Sequence, residues 1–151
     1  MVLTRLTYFS RVRLHGPIND HLDDILVTSV ANNRRDDITS VLVHDGRWFA
    51  QMLEGHENIV SATFERILRD ERHSEVSLVS MHPIGARRFA DWWMRKIAYD
   101  ENNSELFRRY GENDHFDPPL MRVERLCDLI EELADRTAAV PWALKRAPNA
   151  A

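Results

Sequence analysis

The sequence predicts an α+β fold in the order βαββαββ, followed by a helical pair. Three observations carry that prediction. Asp45-Gly46 joins two β-rich runs as a tight hairpin. Apolar stripes at helical spacing stand before and after the hairpin, and further β-rich runs flank both stripes.

Residues 3–10, carrying Leu3, Leu6, Thr7, Tyr8 and Phe9, form the first strand, and a polar loop follows around Gly16-Pro17. A helix starts at Asn19 or Asp20, both good N-caps, and sets Leu22, Ile25, Leu26 and Val30 on one stripe. Ser29, Asn32 and Asn33 extend that stripe, so the two asparagines are expected to face inward. Residues 38–43 are the second strand and Trp48 to Leu53 the third. A second helix over 57–71 carries Ile59, Val60, Thr63, Phe64, Ile67 and Leu68, with Arg66 and Asp70 as an i,i+4 pair at its edge. Residues 75–81 form the fourth strand, Pro83 to Arg88 a loop, and 92–99 the fifth strand, with Trp92 and Met94 on one side and Trp93 on the other.

That order, with two crossover helices, suits a ferredoxin-like sheet with both helices on one face. Strands one and three then lie side by side in the centre, making Tyr8 and Gln51 neighbours. The third strand is apolar on both faces, so a second cover is required. The helical pair at about 103–110 and 119–136 supplies it, with Leu120, Val123, Leu126, Cys127, Ile130 and Leu133 as its stripe. The expected organisation is one domain over 1–100, a helical extension over 101–138 and a flexible tail over 139–151.

Composition narrows the function. With 151 residues, 44% hydrophobic and 29% charged, the chain is an ordinary globular protein, and it shows neither a signal peptide nor a membrane span, so cytoplasmic residence is expected. A net charge of −4 speaks against a nucleic-acid partner. A single cysteine and seven dispersed histidines supply no disulfide framework and no metal site. Walker, dinucleotide and nucleophile-elbow motifs are missing too.

What remains is a set of polar side chains in apolar places. Gln51 sits inside Trp48-Phe49-Ala50-Gln51-Met52-Leu53, where an unpaired amide would cost about 1–3 kcal/mol. Tyr8 and Asn32-Asn33 raise the same question on two other elements. Each alone has an ordinary structural reading; together they raise the question of a bound partner.

Those residues resemble the BLUF family of flavin-binding blue-light sensors over roughly residues 3–100. The resemblance is densest at Leu6-Thr7-Tyr8-Phe9-Ser10-Arg11, at Asn32-Asn33, and at Phe49-Ala50-Gln51-Met52-Leu53-Glu54-Gly55. It continues at Arg66 with Asp70-Glu71-Arg72-His73 and at Trp92-Trp93-Met94. It implies a flavin, FAD with FMN as the alternative, between the two crossover helices. Asn33 would hold the ring's polar edge, with Asn32, Ser29, Arg66, Asp70 and His73 nearby. Gln51 would bridge Tyr8 and the ring. Tyr8, Gln51, Trp92 and Met94 would be the photoactive group, Tyr8 supplying an electron and a proton and Gln51 rearranging its hydrogen bonds. The implied output is a signal to a protein partner, with no substrate turned over, no membrane and self-association of the chain.

Asp37-Ile38-Thr39-Ser40 stands where the family usually has Gly-Ile-Thr-Gly, Ala50 where a bulkier residue is usual, and Trp93 where a smaller one is. The alternative reading is therefore a light-blind ferredoxin-like adaptor that has lost flavin. An acylphosphatase-type hydrolase ranks last, because Arg11-Val12-Arg13-Leu14-His15 lacks a glycine-rich anion loop.

Overall fold

The computed structural model describes residues 2–14 and 18–136, with side chains of 18–23 excluded. The loop expected at Gly16-Pro17 and the tail at 139–151 lie outside the described residues. The elements are β1 (Leu3–Val12), α1 (Ile18–Asp36), β2 (Thr39–His44), β3 (Trp48–His56), α2 (Glu57–Leu68), β4 (His73–Pro83), β5 (Arg95–Ala98), α3 (Ser104–Tyr110), a 3₁₀ turn (Pro118–Leu120) and α4 (Val123–Arg136). One five-stranded sheet runs in the order β4-β1-β3-β2-β5. Its central ladders are antiparallel, and β5 joins the edge parallel to β2. This is the ferredoxin-like arrangement the element order predicts. The central register sets Tyr8 directly opposite Gln51, and Leu42 opposite Gln51 on the other side.

The hairpin forms as its sequence requires. Asp45 Oδ1 accepts the backbone N–H groups of Arg47 and Trp48, both at 2.9 Å, and Gly46 takes the positive φ of 90° that the turn needs. At the end of α1 the chain reverses through Asp37 at φ 52°, a left-handed conformation that Asp tolerates. Arg87 holds that corner by donating to Asp37 O at 2.7 Å, Glu54 O at 2.8 Å and Thr39 Oγ1 at 3.0 Å.

On the helix face the apolar side chains form two clusters. One joins Leu6, Tyr8, Ile38, Leu53 and Val60 to Ile59, Phe64 and Ile67 of α2. The other joins Leu42, Phe49 and Met94 to Ile25, Leu26 and Val30 of α1. The opposite face carries Val41, Val43, Trp48, Ala50 and Met52, covered by Leu126, Leu129, Ile130 and Leu133 of α4 with Leu106 and Phe107 of α3. The cover anticipated from the two-faced apolarity of β3 is therefore in place.

Several boundaries differ from the sequence reading. α1 already includes Asn19 and Asp20, so neither caps it. α2 stops at Leu68, which puts Asp70 beyond the helix and removes its i,i+4 pairing with Arg66; Arg66 instead meets Asp36 at 3.0 Å. Regular pairing in β5 begins at Arg95, so Trp92, Trp93 and Met94 belong to the irregular approach and do not alternate as strand residues. The local cause is Glu54, fully buried on β3, whose carboxylate accepts the backbone N–H groups of Arg88 at 3.1 Å and Phe89 at 2.7 Å and so holds the preceding loop against the sheet.

Candidate functional site

Between the two helix-face clusters lies a half-open cleft. Apolar walls come from Ile25, Leu42, Phe49, Leu53 and Ile67, and polar groups from Ser29, Asn32, Asn33, Thr63, Arg66, Asp70, Arg72 and His73. Tyr8, Gln51 and Met94 line it as well. The sheet positions the first two because both side chains project from facing positions of adjacent central strands.

Tyr8 Oη donates to Gln51 Oε1 at 2.5 Å, a short buried hydrogen bond. The other end of the amide, Gln51 Nε2, meets Met94 Sδ at 3.7 Å. Burial drives the Tyr8 phenol well above the ordinary tyrosine range, and the negative charge of Asp70 adds to the shift. The phenol therefore remains a proton-carrying donor throughout the physiological range. Asp70 stays ionised because Arg72 donates to both its oxygens, at 2.8 and 3.0 Å from Nε, which holds its carboxyl below the usual range.

Asn33 is buried and its amide nitrogen donates to Trp93 O at 2.8 Å and Ser40 Oγ at 3.1 Å. His73 is locked at both ring nitrogens, Nε2 donating to Ile67 O at 2.5 Å and Nδ1 pairing with Ser10 Oγ at 2.7 Å. It thus stands as a wall beside Tyr8, at 6.3 Å between ring centroids, with no donor left over. Of the residues singled out from sequence, Trp92 does not line the cleft; its ring lies 4.4 Å beneath the Arg95 guanidinium. Arg72 was missed, although it stands inside the Asp70-Glu71-Arg72-His73 motif. Ser40 lies outside the lining as well, its hydroxyl turned into the protein toward Trp93 O and Met94 Sδ.

Residues 3–95 match the family described as sensors of blue-light using FAD. The chain belongs to the BLUF family. Among BLUF proteins of known structure, it is similar to BlsA in its photo-activated state, with a TM-score of 0.82 and 28% identity over 92% of this chain and 99% of that one. It is similar too to BlrB in its dark state, with a TM-score of 0.71 and 34% identity over 87% of this chain and 96% of that one. A stretch of 99 residues is 34% identical to the photoactivated adenylate cyclase subunit beta of Euglena gracilis, covering 66% of this chain and 11% of that protein. The chain thus spans about a tenth of the length of that curated BLUF relative. Among the described residues, no helix is long and apolar enough to cross a membrane.

Proposed function

We propose that this protein is a blue-light receptor holding a flavin ring in the cleft between α1 and α2, and that the Tyr8–Gln51 pair reads the light. The observation carrying the proposal is the buried 2.5 Å hydrogen bond between those two side chains in the lining of the cleft. The donor set fits such a ring. Apolar walls suit its flat faces, and the polar side chains of the lining can pair with its heteroatoms. With its amide hydrogens engaged by Ser40 and Trp93, Asn33 would offer its carbonyl oxygen to the ring's imide N–H. Asn32, Ser29, Arg66 and the Asp70–Arg72 pair would surround the same region. FAD is the proposed cofactor; FMN carries the identical ring.

A flavin excited by blue light is a strong one-electron oxidant. Tyr8 would supply an electron and, along its hydrogen bond to Gln51, its phenolic proton. With both restored to Tyr8, the Gln51 amide would be left turned or tautomerised. Met94 would sense that change, because its Sδ already meets the Gln51 amide. Exchange of one hydrogen bond is worth about 0.5–1.5 kcal/mol, so the output is a graded shift in docking rather than an all-or-none switch. A protein partner in the cytoplasm receives the signal, copies of the chain associate through α3 and α4 or the sheet, and no substrate is turned over. Residues 1–100 form the sensing unit and 101–138 its helical output.

The test is one absorption spectrum of flavin-loaded protein before and after blue illumination. A reversible red shift is expected. Protein that stays colourless after flavin is added would establish the light-blind adaptor instead.

A further inference from the structure

Ser40 stands on β2. The side chain is fully buried, and its single hydroxyl hydrogen has two acceptors within reach: Trp93 O at 2.9 Å and Met94 Sδ at 3.3 Å. The oxygen itself accepts from Asn33 Nδ2 at 3.1 Å. That same Asn33 nitrogen donates to Trp93 O at 2.8 Å, so this carbonyl keeps a donor whichever way the hydroxyl turns. Met94 Sδ is in a different position. Besides Ser40, the donor it meets is the Gln51 amide at 3.7 Å.

We infer that Ser40 is a positioning residue of the photocycle, its hydroxyl becoming the donor to Met94 Sδ when the Gln51 amide turns away, and thereby prolonging the illuminated state. The inference rests on the photoreceptor reading proposed above. Before illumination, Met94 has the Gln51 N–H and Ser40 can serve Trp93 O. After the amide turns, the buried thioether depends on Ser40, and Asn33 alone suffices for Trp93 O. The hydroxyl therefore interacts more strongly with one state than with the other, which is the condition for shifting their balance. The backbone supports the arrangement, because Ser40 N donates to Trp92 O at 3.2 Å and holds β2 against the segment that carries Met94.

Two measurements test this on wild type, Ser40→Ala and Ser40→Thr. The first is the first-order dark recovery of flavin-loaded protein, a rate that does not depend on how much protein carries flavin. Ser40→Ala should recover about two- to tenfold faster, the range expected for one net hydrogen bond, while Ser40→Thr, which keeps the hydroxyl, should recover at close to the wild-type rate. The second uses flavin-free protein: the Met94 methyl carbon resonance, assigned by its loss in Met94→Leu, should move in Ser40→Ala and stay in Ser40→Thr. If Ser40→Ala does not fold, Ser40→Gly takes its place under the same criteria. A wild type that red-shifts, with the alanine variant recovering at the wild-type rate or leaving the Met94 resonance unmoved, overturns the role of Ser40 alone. A wild type that shows no red shift overturns the photoreceptor reading and this inference with it.

Discussion

Tyr8 and Gln51 are both nearly inaccessible, yet each carries groups that need partners, and they resolve that need by bonding one another. Tyr8→Phe removes the donor while keeping the ring's volume. It should leave the cleft intact and abolish the red-shifted state; a difference spectrum that still shows the normal shift would remove Tyr8 from the photochemistry. His44 raises a separate question, since it is buried on β2 with neither ring nitrogen hydrogen-bonded among the described residues. Burial, reinforced by the positive charge of Lys96 and partly offset by Asp45, lowers its pKa to about 4. A lowered pKa means that the unfolded chain binds the proton more readily. Stability from this group is complete above the unfolded value of about 6.5 and is lost as pH falls from there toward about 4. The loss is at most about 3 kcal/mol. Urea midpoints measured across that range should drop in wild type and drop less in His44→Leu.

Among the elements, β3 does the most. It buries both faces, pairs with a neighbour on each side and presents Gln51 to the cleft while Glu54 anchors the opposite face. Glu54 is 0% exposed and accepts from Arg5 at 2.9 and 3.2 Å as well as from two backbone N–H groups. Removing it leaves both N–H groups without their acceptor and Arg5 with Glu131 alone, at 3.5 Å. Glu54→Ala should cost about 3–5 kcal/mol in chemical unfolding, and a loss below 1 kcal/mol would show that water replaces the carboxylate. Ile130 on α4 is fully buried against the sheet. Ile130→Ala should cost about 2–5 kcal/mol, measured by the same unfolding curve. The strands, both crossover helices and the α4 stripe were legible in the sequence because each bears its own periodicity. The start of β5 was not, because Trp92-Trp93-Met94 reads as strand by residue type, whereas loop anchoring by Glu54 decides where pairing begins.

Taken whole, the molecule is a sheet with a ligand cleft on one side and a helical brace on the other. The cleft exists because the apolar side chains of the helix face divide into two clusters, one gathered by each crossover helix. Flavin that binds the folded state alone must stabilise it, by about 2.7 kcal/mol at a hundredfold excess over its Kd. Thermal unfolding with and without FAD should show that gain, and an unchanged melting temperature would exclude binding in the cleft. The brace is part of the same core as β2 and β3. A chain ending at residue 100 should consequently bind hydrophobic dyes and aggregate; a soluble, cooperatively folding 1–100 fragment would show that the sheet stands without α4.

By itself the sequence determined the element order, the hairpin, the pairing of Tyr8 with Gln51 and the polar stripe of Ser29, Asn32 and Asn33, because periodicity, turn chemistry and topology act over short stretches or follow from strand order. The tertiary structure alone decided that Arg72 joins the cleft, that Arg66 turns to Asp36, that Trp92 lies beneath Arg95 and that Ser40 faces Met94. Those outcomes depend on which of several competing partners a side chain meets once distant segments pack. Spacing along the chain carries no record of that competition.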